Sequence, residues 1–267
     1  MTKRKPIDLN GIREMHARGE KIAVLTCYDA LFAGILDAAG VDILLVGDSL
    51  GNVLQGRPNT LAVSVDDMVY HTECVARGNE SAWIVTDMPF GSYQESAEVA
   101  FRNAARLVQA GAHMVKLEGG DWTPAIVRFL VDRGIPVCGH LGLTPQSVHT
   151  LSGYRVQGRD EDGVQKLLRQ AAELEAAGAA LIVLELVPAA VGGEVTKHVS
   201  VPVIGIGAGA QCSGQVLVLH DMLGITRSKL PRFVKNFLAG TGAVDEAVRR
   251  YVGAVKSGAF PDSTHSY

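Results

Sequence analysis

The 267 residues carry 25 basic against 28 acidic side chains, a formal charge of −3. That balance argues against nucleic acid or an anionic membrane as the main partner, and no run approaches the roughly 18 apolar residues of a membrane span. Hydrophobic residues make up 47% and aromatics only 6%, which suits small-residue packing of helices on strands better than an aromatic-rich sandwich.

The opening Met1-Thr2-Lys3-Arg4-Lys5-Pro6 is basic, but no apolar stretch of signal-peptide type follows it. Cys27, Cys74, Cys138 and Cys212 are far apart and form no C-x-x-C pair. Reduced thiols and a cytoplasmic location are therefore expected. A helix is expected over Leu9–Arg18. Beyond it, short apolar runs rich in Val, Ile and Leu alternate with helical segments. The first run, Ile22–Asp29, leads into a helix at Ala30–Ala39 that ends at Gly40. Ile43–Ser49 is followed by a helix at Val65–Arg77, N-capped by Ser64 and stopped by Gly78. Trp83–Phe90 precedes Ser96–Ala110 and Gly111, and Met114–Gly120 precedes Trp122–Arg133 and Gly134. Pro136–Leu143 precedes Gly163–Ala177 and Gly178, and the last three runs are Ala180–Pro188, Pro202–Gly209 and Gln215–Leu223. Glycine just past a helix is the expected C′ residue, because a left-handed backbone costs it no Cβ clash. Continuous apolar runs fit strands covered on both faces, as in a parallel sheet.

Eight such units predict a closed (β/α)₈ (TIM) barrel over about residues 22–225, within one domain spanning 1–267. Helices are expected from Arg232 to about Ser257, and a loose polar tail at Pro261–Tyr267. The competing open, doubly wound sheet lacks a G-x-G-x-x-G after its first strand.

In such a barrel the C-terminal strand ends converge on one mouth, where the chemistry sits. Strand 2 ends in Asp48-Ser49, strand 3 reaches Asp87, and strand 4 contains Lys116 and Glu118. Strand 5 reaches His140, and strand 6 carries Glu185 between Leu184 and Leu186. Any one acid could be a helix N-cap or half of a surface ion pair, and Lys116 alone could be a snorkelling stem. Together, four carboxylates near one mouth cannot all remain free anions. A divalent cation plus Lys116 would relieve their repulsion, and hard carboxylates without a Cys/His cluster favour Mg²⁺. For His140, a structural and a catalytic role are both open. His71, His113, His149, His198 and His220 read as structural or surface residues. Gly205-Ile206-Gly207-Ala208-Gly209 could cradle an anion or only let a ligand approach closely.

Several segments together resemble ketopantoate hydroxymethyltransferase. They include Val-Gly-Asp-Ser-Leu-Gly (46–51), Asp-Asp-Met-Val-Tyr-His-Thr (66–72), Thr-Asp-Met-Pro-Phe-Gly-Ser-Tyr (86–93) and Val-Lys-Leu-Glu-Gly-Gly (115–120). The others are Gly-His-Leu-Gly-Leu-Thr-Pro-Gln-Ser-Val (139–148), Leu-Glu-Leu-Val-Pro (184–188), Ile-Gly-Ile-Gly-Ala-Gly (204–209) and Gly-Gln-Val-Leu-Val-Leu-His-Asp-Met-Leu-Gly (214–224). The resemblance runs in order from about residue 7 to 240. It implies transfer of a one-carbon unit from 5,10-methylenetetrahydrofolate to 3-methyl-2-oxobutanoate, giving 2-dehydropantoate for pantothenate synthesis. By matching motif, Asp48 and Asp87 would be Mg²⁺ ligands with Glu118 in the metal's environment. Asp48, Ser49, Asp87 and Lys116 would contact the keto acid, and Glu185 would be the base. A homodecamer is implied in the same way.

Glu185, flanked by leucines, is expected to be partly desolvated, which would raise its pKa and suit it to proton transfer. The sequence departs from the family pattern at Arg57–Val63, at Ser213 where Asp is usual, and at Ser152 where Gly is usual. None of these is a proposed ligand or base; they bear on loop geometry and on the folate contacts. Two alternatives are another Mg²⁺-dependent barrel acting on 2-oxo acids and a non-catalytic barrel that binds a keto acid. The chain lacks the Lys-Cys-Gly-His signature of one lyase type, and it lacks none of the proposed catalytic residues.

Overall fold

The structure, a computed structural model, describes residues 4–227 and 229–267; Met1–Lys3 of the basic opening lie outside the described residues. In chain order the elements are α1 (Leu9–Ala17), β1 (Ile22–Thr26), α2 (Ala30–Ala38), β2 (Ile43–Val46), α3 (Leu50–Val53), α4 (Val65–Gly78), β3 (Trp83–Asp87), α5 (Ala97–Gln109), β4 (Met114–Glu118), α6 (Thr123–Val131) and β5 (Val137–Gly142). After a 3₁₀ turn at Pro145–Ser147 come α7 (Glu161–Ala176), β6 (Leu181–Glu185), α8 (Ala189–His198), β7 (Val203–Ile206), β8 (Gly214–Leu217), α9 (Leu219–Met222) and α10 (Val244–Lys256). The eight strands are parallel and close in sequence order, as the eight apolar runs predict. β8 returns to β1 with Val216 opposite Val24. Tyr251 of α10 fastens that seam, its hydroxyl lying 2.9 Å from the carbonyl oxygens of both Val24 and Gln215.

Local chemistry starts the helices where expected. The side chains of Asp8, Asp29, Ser64, Ser96 and Asp160 each accept a backbone N–H from the first turn of the helix that follows. Ser64 and Asp67 form a full capping box. α7 begins two residues before the expected Gly163, because Asp160 is the cap.

Other boundaries differ from the sequence reading for physical reasons. Gly78 is the last residue of α4 rather than a left-handed C′ residue. A Cβ there would lie 2.0 Å from the carbonyl oxygen of Ala30, so glycine permits the close α2–α4 crossing. The eighth run stops at Leu217, because Thr26 Oγ1 accepts the Leu219 N–H at 2.8 Å and the chain turns into α9. No helix lies between β7 and β8. Of the helices expected from Arg232 to Ser257, only α10 forms; residues 232–243 make turns, in a stretch broken by Pro231, Gly240 and Gly242.

The tail is not loose. Phe260 is buried in the core, Asp262 caps a 3₁₀ turn at Ser263–His265, and the Tyr267 carbonyl accepts the Ala189 N–H at 2.9 Å. Among the described residues no helix is long and apolar enough to cross a membrane.

Candidate active site

A cavity of about 780 Å³ opens at the C-terminal strand ends. Asp48, Ser49, Asp87, Lys116, Glu118 and Glu185 all line it, as does His140. Register explains the convergence. Asp87 lies opposite Lys116, Glu118 opposite His140, and Gly142 opposite Glu185. Residues two apart on a strand share a face, so Lys116 and Glu118 both project inward.

The acids and the lysine form one buried network. Lys116 Nζ lies 3.0 Å from Asp87 Oδ1 and 3.2 Å from His140 Nδ1. Asp87 Oδ2 accepts the backbone N–H of Asp48 at 3.0 Å. His140 Nδ1 lies 3.3 Å from Glu118 Oε1, and His140 Nε2 lies 3.2 Å from Glu185 Oε2. The last contact is close but too poorly aligned to count as a hydrogen bond. Ser49 stands at the edge of the network, its hydroxyl 2.9 Å from that of Tyr28.

Burial and mutual repulsion set the charge states. Asp48 is held well above the ordinary carboxylate range, first by burial and then by the charges of Asp87 and Glu118. Glu118 is pushed up to about 7, mainly by burial, which Lys116 only partly offsets. Burial works against the charge on Lys116, but Asp87, Glu118 and Asp48 outweigh it and keep the ammonium protonated. His140 is held below its usual range by burial and by Lys116.

Among the described residues no three His, Cys, Asp or Glu side chains are arranged to hold an ion by themselves. A Mg²⁺ site does not require three, because the ion commonly takes one or two carboxylates and keeps its remaining positions for water and substrate. Asp87 Oδ1 is buried beside Lys116 but makes no well-aligned hydrogen bond. The carboxylates near it outnumber the single lysine. Such a donor set fits a hard divalent cation.

Residues that were not singled out from the sequence also build the site. Gln146, in the turn after β5, donates Nε2–H to Asp48 Oδ2 at 2.9 Å and its backbone N–H to Glu118 Oε2 at 2.9 Å. Tyr93 donates its hydroxyl to Gln146 Oε1 at 2.7 Å. Thr144-Pro145 at a strand end marks a turn at the mouth, and that signal could have drawn attention to Gln146. Leu186, directly after Glu185, has φ 46°, a left-handed conformation that costs a branched side chain roughly 1–2 kcal/mol. In the glycine-rich segment, Gly207 and Gly209 have φ of 64° and 84°, and added Cβ atoms would press on Phe233 and Ala189 at 2.8 and 2.6 Å. Close packing accounts for both glycines.

The family model for ketopantoate hydroxymethyltransferase matches residues 6–263. A 3-methyl-2-oxobutanoate hydroxymethyltransferase from Azoarcus sp. (strain BH72) is 62% identical over 264 residues, covering 98% of this chain and 97% of that protein. A 3-methyl-2-oxobutanoate hydroxymethyltransferase 2 from Methylibium petroleiphilum is 60% identical over 266 residues, covering 99% and 95%. Among solved structures, phosphoenolpyruvate phosphomutase from Streptomyces platensis subsp. rosaceus superposes with a TM-score of 0.62 at 14% identity, covering 82% of this chain and 84% of that one. That likeness shows a shared barrel. The family match over nearly the whole length shows that the chain belongs to the ketopantoate hydroxymethyltransferase family and is a transferase.

Proposed function

We propose that the protein transfers a hydroxymethyl group from 5,10-methylenetetrahydrofolate to 3-methyl-2-oxobutanoate, forming 2-dehydropantoate for pantothenate synthesis. One observation carries this reading. Glu185, its side chain 14% exposed, lines the same cavity as the buried Asp48–Asp87–Lys116–Glu118 network and approaches it through His140. Removing a proton beside a ketone needs a base on one side and stabilisation of the oxyanion on the other.

In this reading Asp48 and Asp87 hold Mg²⁺, with Glu118 in its surroundings. Bound there, the ion supplies Lewis-acid stabilisation of negative charge on the keto oxygen. Asp48, Ser49, Asp87 and Lys116 position the keto acid, and the buried ammonium of Lys116 adds positive potential beside Asp87. Glu185 takes the proton from C3. The carbanionic C3 then forms a bond to the methylene carbon, water supplies the hydroxyl oxygen, and tetrahydrofolate leaves. A cytoplasmic homo-oligomer, decameric by family resemblance, completes the proposal.

The test is transfer from methylene-¹³C-labelled donor. Label at C4 of 2-dehydropantoate is the expected outcome. Free formaldehyde, or unlabelled product, would contradict the donor assignment.

A further inference from the structure

Gln146 is buried, 6% exposed, and uses its backbone N–H and both ends of its amide. Nε2 reaches Asp48 Oδ2 at 2.9 Å and the Met88 carbonyl at 3.0 Å. The Met88 carbonyl is an acceptor only, so the atom facing it must be the NH₂ group, and Oε1 faces the other way. There it meets the Tyr93 hydroxyl at 2.7 Å and, more distantly, Gln94 Nε2 at 3.3 Å. The Tyr93 oxygen itself accepts the Glu118 N–H at 3.0 Å, and its proton has the Gln146 Oε1 at 2.7 Å as a closer acceptor than the Glu118 carbonyl at 3.2 Å. Burial first, then the charge of Glu118, keeps that phenol protonated. The Tyr93 ring is in turn stacked on Trp122, with centroids 5.9 Å apart and planes 15° apart.

The outcome is specific. One oxygen of Asp48, from the end of β2, and one oxygen of Glu118, from the end of β4, are both taken by the same residue. Asp48 Oδ1 and Glu118 Oε1 are left for other partners. We propose that Gln146, oriented by Tyr93, is a positioning residue that fixes which oxygen of Asp48 and of Glu118 faces the cation, and so sets divalent-cation affinity. This rests on the reading of Asp48 and Asp87 as cation ligands. Groups that hydrogen-bond metal ligands typically govern affinity by 10–100-fold. The alternative, that Gln146 merely satisfies buried polar atoms, would affect folding stability but not cation binding.

The experiment is titration of the folded, metal-free enzyme with Mn²⁺, followed by electron paramagnetic resonance and calorimetry. Wild type, Gln146→Leu and Tyr93→Phe are compared, with circular dichroism confirming that each is folded at the assay temperature. Gln146→Leu is expected to bind Mn²⁺ about 10–100-fold more weakly, with most of kcat returning at high Mn²⁺. Tyr93→Phe, which frees the amide to rotate and also removes the acceptor of the Glu118 N–H, should shift affinity in the same direction. Wild-type affinity in folded Gln146→Leu would overturn the proposal. If that variant does not fold, wild-type affinity in Tyr93→Phe would do so. Absence of saturable binding in the wild type would instead overturn the cation assignment on which the proposal rests.

Discussion

His140 Nε2 lies 3.2 Å from Glu185 Oε2, and the rest of the network decides what that contact is. His140 Nδ1 faces Lys116 Nζ at 3.2 Å, and an ammonium offers only donors. When Nδ1 accepts from that ammonium it carries the lone pair and the imidazole proton sits on Nε2, the nitrogen nearest Glu185, although Glu118 Oε1 also lies 3.3 Å from Nδ1. Burial and Lys116 together keep the ring neutral. The imidazole thus stands beside one oxygen of Glu185 without a well-aligned hydrogen bond to it, and Glu185 itself lines the cavity. On this geometry, Glu185→Gln should slow exchange of the C3 proton by about 10²-fold or more while keeping affinity for the keto acid. Exchange is read by NMR and affinity by calorimetry. Exchange at the wild-type rate would show that Glu185 is not the base.

The network also separates two substitutions that a list of site residues would treat alike. Lys116 is the cation among three carboxylates, and its side chain is 5% exposed. Lys116→Met should destabilise the metal-free protein by about 3–5 kcal/mol, the usual cost of leaving buried charge uncompensated. Asp48→Asn should do the reverse. A carboxyl whose folded-state pKa is raised stabilises the fold only at low pH and opposes folding once ionised. Asn keeps the acceptor for Gln146 and removes the charge. At pH 7 its urea midpoint should equal or exceed that of wild type, while Mg²⁺-dependent C3 exchange is lost. A midpoint well below wild type would contradict this account of the electrostatics.

Much of the architecture was legible because a strand covered on both faces must be apolar throughout, so each polar interruption at Asp48, Asp87, Glu118 or Glu185 stood out. Ends were harder to read. The apolar run Val216–Leu219 reads on as strand, yet at Leu219 the N–H is taken by the Thr26 side chain, 193 residues away in sequence, and the chain turns into a helix. Gly78 reads as a stop signal, yet its role is a close approach to Ala30 that exists only in the folded barrel. Gln146 has no periodicity or charge to mark it, because its importance lies in contacts with residues from three other segments. The tail looked unstructured because its anchors, Ala189 and Phe233, are distant in sequence.

Ser152, where the resemblance implied glycine, carries a measurable backbone cost. Its φ is 56°, where glycine would be unstrained. Ser152→Gly should raise stability by a few tenths to about 1 kcal/mol, the strain relieved being partly offset by the greater freedom of glycine in the unfolded chain. Urea denaturation checks this. A loss of stability would mean that the serine side chain makes up for its backbone strain.

His113 gives a pH test of folding remote from the strand-end acids. Its Nδ1 accepts the Ile84 N–H at 3.0 Å at the start of β3, and burial lowers its pKa. The unfolded chain therefore takes up a proton first as the pH falls. The stabilisation from His113 is complete above the ordinary histidine pKa of about 6.5 and is lost as pH falls below it. The stability gap between wild type and His113→Gln should narrow between pH 8 and pH 5. His140 and His220, shifted in the same direction, cancel in that difference. A gap independent of pH would show that His113 does not titrate as this burial requires.

In the proposed function, the strand-end network and Glu185 generate a carbon nucleophile at C3 of 3-methyl-2-oxobutanoate. The most direct test of that step is NMR-detected exchange of the C3 proton with solvent deuterium, run with and without Mg²⁺ and then with 5,10-methylenetetrahydrofolate. Exchange that depends on the metal and on Glu185, and 2-dehydropantoate once the folate is added, are the expected results. A folded, metal-loaded enzyme that leaves the C3 proton unexchanged and forms no product would contradict the proposed function.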